Sequence, residues 1–213
     1  MQAIARADFS NNWLTLLFVF LLVLIAVMKI TNTQKLYGYS RAFFLKGFIT
    51  RKAEERESFF TIFNLLAYFF SILVYALFLM YLLNFIKPNF IVEFRSYLKV
   101  VAGIGIYFSV FLIFDFLLIR TFEIKHEIAS FVAAKISYFY NIAILLFPFL
   151  IIITYSFSNI YILLVAFVVL FLIGLILIFT NNKKLIVNKL FYFILYLCAL
   201  KIVPLLILYK ITV

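Results

Sequence analysis

Long apolar segments dominate this chain and restrict what it can fold into. Six runs of about 20 residues are poor in charged side chains, and a helix of that length crosses the roughly 30 Å of hydrocarbon in a bilayer. Inside lipid a helix satisfies its own backbone hydrogen bonds, which an irregular segment cannot do. The runs span residues 13–30, 59–86, 98–119, 136–155, 160–179 and 190–209. We therefore predict an all-α, polytopic membrane protein with six transmembrane helices forming one domain over residues 1–213.

The composition supports a lipid environment. Hydrophobic residues make up 68% of the chain and charged residues 13%, against about 45–50% and about 25% in soluble domains. A soluble domain of 213 residues has too much surface to hide so many apolar side chains. Glycine is scarce, with 5 residues against 30 phenylalanines, which predicts helix packing through bulky aromatic rings. Gly105 and Ser109 form one pair of small residues four apart, a candidate contact face.

Lysine and arginine are unevenly distributed among the loops. Thirteen of the 19 lie beside the first, third and fifth loops, five lie at the termini or beside the second loop, and Lys201 lies within the last span. This count places Arg120, Lys125 and Lys135 in the third loop. Because loops rich in these residues stay in the cytoplasm, the bias predicts that both termini lie outside it (N-out, C-out).

The first loop, residues 31–58, is the longest connection and is strongly basic. On a helical projection its apolar side chains share one face, with Lys35, Ala42 and Lys46 opposite. The apolar set is Leu36, Tyr37, Phe43, Phe44 and Phe48. We predict a helix that lies on the inner leaflet in contact with anionic lipid. Docking onto a cytoplasmic partner is the alternative.

Two polar side chains lie at similar depth near the cytoplasmic ends of the third and fourth predicted spans. Asp115 is four residues, roughly 6 Å, from the end of its span, and Asn141 is on the antiparallel neighbour. Asn64, in the second span, is not far from that level. One interpretation is a polar contact between helices, with Asp115 reaching Lys29 or water. The other is a proton or cation site, because ionisable groups within spans are often functional.

Lys201 lies about eleven residues into the last predicted span, near the middle of the membrane. The acidic residues of the chain fall at other depths, with Asp115 about 10 Å away along the membrane normal. Three interpretations remain open. The side chain extends to the interface, it is neutral through a lowered pKa, or it meets an anionic group of another molecule.

Motifs for catalysis, metal binding or nucleic-acid binding are missing from the sequence. Glu123, His126 and Glu127 resemble half of a di-metal carboxylate site, but that site needs a second copy of the motif. The one cysteine, Cys198, excludes a multi-cysteine metal site. The net charge is +11. The basic residues that produce it lie in loops beside apolar spans, where membrane topology and anionic lipid explain them better than nucleic-acid binding does. We expect no enzyme activity, no metal and no cofactor.

Two parts of the chain resemble a known family. They are Asn141 with Pro148 in the fourth span, and the terminal segment 195–204, Leu-Tyr-Leu-Cys-Ala-Leu-Lys-Ile-Val-Pro. The likeness covers most of the chain and is to an uncharacterised, domain-of-unknown-function family of multi-span proteins from Bacteroidetes-type bacteria. It implies a location in the bacterial inner membrane and supplies no activity.

Two functions compete on these features. The first is a non-enzymatic subunit or accessory factor of a larger membrane protein complex, in which Asp115, Asn141 and Lys201 are candidate contacts. The second is a transporter or channel for a small solute, an ion or a lipid that uses Asp115 and Lys201. The second lacks the internal repeat common in transporters, since the first and fourth loops differ greatly in length. We expect the first.

Overall fold

The computed structural model describes residues 12–41, 43, 61–87, 92–121, 125–156 and 160–181. This part of the chain forms six α-helices and contains no strand. The helices are α1 Asn12–Thr31, α2 Thr33–Ser40, α3 Ile62–Ile86, α4 Phe94–Thr121, α5 Lys125–Tyr155 and α6 Ile160–Asn181. Five of them, all except α2, are long and apolar enough to cross a membrane. The protein is therefore an all-helical, multi-pass membrane protein.

The five long helices confirm the first five predicted spans, and the sixth predicted span, 190–209, lies outside the described residues. The apolar parts of α4 and α5 are Phe94–Asp115 and Phe131–Tyr155, each beginning about four or five residues before its predicted start. The fourth and fifth predicted spans were expected to form a tight hairpin. They do, because α5 turns at Ser156 and α6 returns against it, with Ile142 beside Gly174.

Local signals fix several helix ends. The Thr61 hydroxyl accepts the main-chain N–H of Asn64 at 3.4 Å and caps α3. The Asn32 side chain accepts the N–H of Lys35 at 2.9 Å and caps α2. Both contacts satisfy one of the donors that a helix start leaves open. At the other end of α3, Lys87 is extended, as expected for a residue that precedes proline.

Helices α3 and α5 form the centre of the described bundle. They run in the same direction, as the contacts Phe70–Phe147 and Tyr81–Thr154 show. In each, 56% of the most apolar stretch is buried, against 6% for α4. Helices α1, α4 and α6 pack around this central pair. The side chains of α3 and α5 are therefore fixed mainly by protein, and those of α4 face outward.

Aromatic rings make many of the contacts between helices, as the composition predicted. Phe78 of α3 stacks on Phe167 of α6 at 4.3 Å between ring centroids. On the other side of α3, Tyr75 lies 4.7 Å from Phe139, and Phe108 of α4 lies 4.5 Å from the same ring. Such pairs contribute about 0.5–1.5 kcal/mol each beyond the area they bury. Rings thus take the place of the small residues that usually bring membrane helices together.

Helix α2 lies across one end of the bundle, against α1 and α5. Its side chains divide between the bundle and the outside. Tyr37, on the face predicted to contact lipid, is 52% exposed, whereas Tyr39 is 1% exposed and belongs to the core. Phe43, predicted on the same face as Tyr37, is half-buried and stacks on Tyr138 of α5. Contact of this helix with lipid stays a prediction. Phe44 and Phe48 lie outside the described residues.

Candidate functional site

A buried amide joins α2 to α5. Asn141 of α5 has no exposed surface, and its Nδ2 donates a hydrogen bond to the main-chain carbonyl of Tyr39. This carbonyl lies in the last turn of α2, where helices leave acceptors open. Within the described ranges, the other amide atom of Asn141, Oδ1, is buried and has no hydrogen-bond donor. The contact therefore fastens α2 with one half of the amide only.

Aromatic side chains enclose this amide. The Tyr39 ring stacks on Phe63 at 5.9 Å and meets Tyr140 edge-on at 5.7 Å. The Tyr140 hydroxyl donates to the main-chain carbonyl of Asn64 at 3.2 Å, which ties α5 to the first turn of α3. We call Tyr39, Phe63, Asn64, Tyr140 and Asn141 the Tyr39 cluster. It connects α2, α3 and α5 at the end of the bundle where α3 begins.

A charged pair links α4 to α5. Asp115 Oδ2 accepts a hydrogen bond from Lys135 Nζ at 2.5 Å. The Asp115 side chain is 4% exposed and the Lys135 side chain 27%, so the pair lies at the edge of the packed interior. The sequence count placed Lys135 in a cytoplasmic loop, which is wrong, because α5 begins at Lys125 and its apolar part at Phe131. Arg120 and Lys125 also lie within helices.

The predicted polar residues have separate partners. Asp115 forms an ion pair with Lys135 and hydrogen-bonds to neither Lys29 nor Asn141. Asn141 hydrogen-bonds to the backbone of α2. Asn64 is joined to α5 through its main chain, by Tyr140. Lys201 lies outside the described residues. The structure thus gives Asp115 and Asn141 two different contacts and does not join them in one cluster.

Sequence reasoning missed Lys135 and Tyr39. Lys135 follows Ala133 and Ala134 and precedes a long apolar run, so a helix that begins ten residues earlier would have placed it opposite Asp115. Tyr39 carried no comparable signal, because its partner on α5 is 102 residues away.

In the described part of the chain, five further tyrosines make hydrogen bonds between the long helices. Two of them bind main-chain carbonyls, Tyr75 that of Phe139 at 3.0 Å and Tyr97 that of Leu73 at 3.2 Å. The other three contacts join hydroxyl groups, Tyr155 with Thr15 at 2.8 Å, Tyr68 with Ser109 at 3.0 Å and Tyr81 with Thr154 at 2.7 Å. Since the Thr154 hydroxyl donates to the Leu150 carbonyl, Tyr81 is the donor in the last pair.

These polar groups join helices to one another. The donors are amide, phenol and ammonium groups, and most of the acceptors are backbone carbonyls. Among the residues that the structure describes, no three His, Cys, Asp or Glu side chains lie close enough to hold a metal ion. The described helices are thus joined by hydrogen bonds and an ion pair between neighbours.

Comparison with known proteins gives one match. The profile of a family described as a domain of unknown function, DUF4271, matches residues 14–212. No curated protein and no solved structure matches the chain. Because the match extends over nearly the whole sequence, from α1 past the last predicted span, the chain belongs to the uncharacterised DUF4271 family.

Proposed function

We propose that this protein is a non-enzymatic subunit or accessory factor of a larger membrane protein assembly. The observation that carries the proposal is the outward face of α4. This helix is long enough to span a bilayer, yet only 6% of its most apolar stretch is buried. Helix α4 packs on α3 and α5 along one side, and in the described bundle its other side is available to lipid or to another helix.

Small residues lie on that face. Ala102 and Gly103 are exposed, and a Cβ atom added at Gly103 or Gly105 would meet nothing within 4 Å. Membrane helices associate through small residues because these allow two backbones to approach closely. Ser109, which the sequence paired with Gly105, instead shares a hydrogen bond with Tyr68 of α3. The face available to a partner helix thus centres on Ala102 and Gly103.

The interior of the bundle favours this function over transport. In the part of the chain that the structure describes, the buried polar residues are Ser71, Asp115, Ser137 and Asn141. Ser71 donates to the carbonyl of its own helix at Ala67, and Asp115 is held by Lys135. A path for a solute or ion needs polar groups along its length. The alternative function, transport through Asp115 and Lys201, gains no support from these spans.

Location and lipid contact complete the proposal. A bacterial inner membrane with both termini outside the cytoplasm agrees with the distribution of lysine and arginine. Contact of the basic loop 31–58 with anionic lipid is supported by α2, on which the Arg41 guanidinium lies 4.1 Å from the centre of the exposed Tyr37 ring. An aromatic ring with a cation above it is a common arrangement at a membrane interface.

The test is site-specific photo-cross-linking in cells that express the full chain at its native level. A photoreactive residue replaces Ile106, which is 67% exposed on the outward face of α4. The matched control is Val165 of α6, which is 62% exposed. We expect one protein adduct of defined mass at position 106, identical to a protein that co-purifies stoichiometrically in mild detergent, and none at position 165.

The opposite result is equally clear. A chain that purifies alone, with only lipid cross-linked at position 106, would refute the subunit function. Flux assays on reconstituted vesicles would then be the next measurement.

A further inference from the structure

An open apolar groove runs between α1 and α4. It has a volume of about 470 Å³ and is lined by side chains of three helices. The lining residues are Trp13, Leu16, Leu17, Phe20, Leu73, Phe94, Tyr97 and Leu98. Pockets that bind small ligands have volumes of roughly 300–1,000 Å³, so the groove is large enough to hold a flexible chain.

The floor of the groove is firm and apolar. Leu17, Leu73 and Tyr97 are buried. The hydroxyl of Tyr97, one of the lining residues, already donates to the Leu73 carbonyl. The walls, including Leu16 and Leu98, are largely exposed. A hydrocarbon chain in the groove would therefore contact a buried apolar surface. It would not need to form a hydrogen bond there.

Aromatic rings mark the two ends of the groove. At one end Trp13 contacts Phe94 and Tyr97, with ring centroids 6.0 and 5.8 Å apart. At the other end Phe20 meets Phe69 of α3 edge-on at 6.4 Å. From Trp13 to Phe20 the helix rises about 10 Å, which is less than the roughly 15 Å of hydrocarbon in one leaflet. The groove thus fits the tail of a lipid from a single leaflet.

Positive charge borders the Trp13 end. Arg95 and Lys99 are exposed, lie one helical turn apart on α4, and directly follow Phe94 and Leu98 of the groove wall in the sequence. Glu93 precedes them and is also exposed, so the net side-chain charge of this turn is +1. The first turn of α4 adds the partial positive charge of a helix N-terminus. A phosphate group at the mouth of the groove would meet this charge while its tail lay between α1 and α4.

From this geometry we propose that the groove binds an anionic phospholipid. The acyl chain lies on Leu17 and Leu73, and the headgroup phosphate lies beside Arg95 and Lys99. A lipid in this site would cover apolar surface that the described bundle leaves open, and it would join α1 to α4 on the side where few direct contacts connect them. On α4 the charged pair adjoins the face centred on Ala102 and Gly103, since Lys99 lies three residues before Ala102 and four before Gly103.

The test uses the one tryptophan of the chain, Trp13, which is itself part of the groove. The full chain is purified and reconstituted in phosphatidylcholine vesicles that contain increasing fractions of a lipid with brominated tails. Bromine quenches tryptophan fluorescence on contact. One series uses brominated phosphatidylglycerol, and the other uses brominated phosphatidylcholine, so that tail contact is the same and headgroup charge differs.

We expect half-maximal quenching at about a fivefold lower mole fraction of phosphatidylglycerol, a ratio typical of one net positive charge at a membrane surface. The double variant Arg95→Gln/Lys99→Gln should remove the preference for phosphatidylglycerol or reverse it, because Glu93 then leaves this turn with a net side-chain charge of −1. Lys87→Gln is the matched control, because Lys87 is exposed at the same end of the bundle but follows α3, and it should leave the ratio unchanged. These residues are exposed, so the variants should elute as the wild type does.

Four results would overturn the proposal. Equal quenching by the two lipids in the wild-type protein would mean ordinary contact with bulk lipid. An unchanged ratio in the double variant would place any anionic lipid elsewhere, and an equal fall in Lys87→Gln would indicate general surface charge. Protection of Trp13 from both lipids would show that protein fills the groove.

Discussion

The Asp115 carboxylate lies 2.5 Å from the Lys135 ammonium, across helices α4 and α5. The two partners are unequally placed, since the carboxylate side chain is 4% exposed and the lysine side chain 27%. Only the lysine borders on solvent or headgroups. Removing Lys135 leaves a buried, unpaired carboxylate, whereas removing Asp115 leaves an ammonium group near the surface. The two changes should therefore cost different amounts of stability.

The first prediction concerns this asymmetry. Lys135→Met should lower the free energy of unfolding by about 3 kcal/mol, because it takes the cation from a buried carboxylate. Asp115→Asn should cost about 1 kcal/mol, since the lysine that remains can extend outward. The double variant Asp115→Leu/Lys135→Met should lie closer to the wild type than Lys135→Met does. Unfolding by SDS in mixed micelles, followed by circular dichroism, measures all three, and equal losses in the two single variants would refute the asymmetry.

The second prediction concerns the amide that holds α2. Asn141→Leu removes the bond to the Tyr39 carbonyl but also removes the buried Oδ1 acceptor, so it should cost only about 0.6–1.7 kcal/mol. Asn141→Asp at neutral pH should cost more, because a carboxylate oxygen would face the carbonyl oxygen of Tyr39.

Hydrogen exchange locates the effect of these two variants. Amide protection should fall in α2 and stay at the wild-type level in the middle of α3. Equal loss of protection in both helices would show that Asn141 supports the whole bundle and not α2 alone.

The third prediction separates two tyrosines of α2 that are two residues apart. Tyr39→Ala empties a site between Phe63 and Tyr140 and should cost about 3–5 kcal/mol. Tyr37→Ala changes a ring that is 52% exposed and should stay within about 0.5 kcal/mol of the wild type. Thermal unfolding in one detergent compares them directly. A large loss in Tyr37→Ala would mean that Tyr37 packs against protein and does not lie on an open face of α2.

The fourth prediction compares two glycines. A Cβ atom at Gly174 would lie 3.3 Å from Ile142 Cδ1 and 3.9 Å from Phe43 Cε1, so crowding should offset the helix propensity that alanine adds, and Gly174→Ala should be less stabilising than Gly103→Ala by about 1 kcal/mol. Gly103→Ala adds a methyl group to open space and should be neutral or stabilising by up to about 1 kcal/mol.

The larger variant Gly103→Leu connects this site to the proposed function. It should leave the unfolding of the purified chain unchanged and remove the protein that cross-links at position 106. A destabilised Gly103→Leu chain would mean that this face packs within the protein.

The positions of the five described spans could be predicted from the sequence. A transmembrane helix is specified by the length and hydrophobicity of its own segment, because lipid surrounds it whether or not other helices are present. The predicted starts, residues 98 and 136, lie four and five residues after the first residues of the apolar parts, Phe94 and Phe131, and each difference includes one charged residue, Arg95 or Lys135. Both charges lie within helices, because a long side chain near the end of a span can extend toward headgroups or pair with a neighbour.

The candidate site could be predicted only in part. Asp115 and Asn141 stood out because polar groups are rare in apolar runs, and the structure gives each a specific partner. The partners themselves did not stand out. Lys135 resembled a loop residue and Tyr39 resembled many other tyrosines, so nothing short of the packing of α2, α4 and α5 identified them.

By itself, then, the sequence determined that this chain is a bundle of membrane-spanning helices, and where along the chain those helices lie. Only the tertiary structure decided which faces meet, that α3 and α5 form the centre, that α4 faces outward, and that Tyr39 rather than Tyr37 is buried. In water the buried face of a helix is its apolar face, and a pattern in the sequence reveals it. In a bilayer the solvent is as apolar as the core, so leucine and phenylalanine occur on both faces, and only the fit between helices distinguishes them.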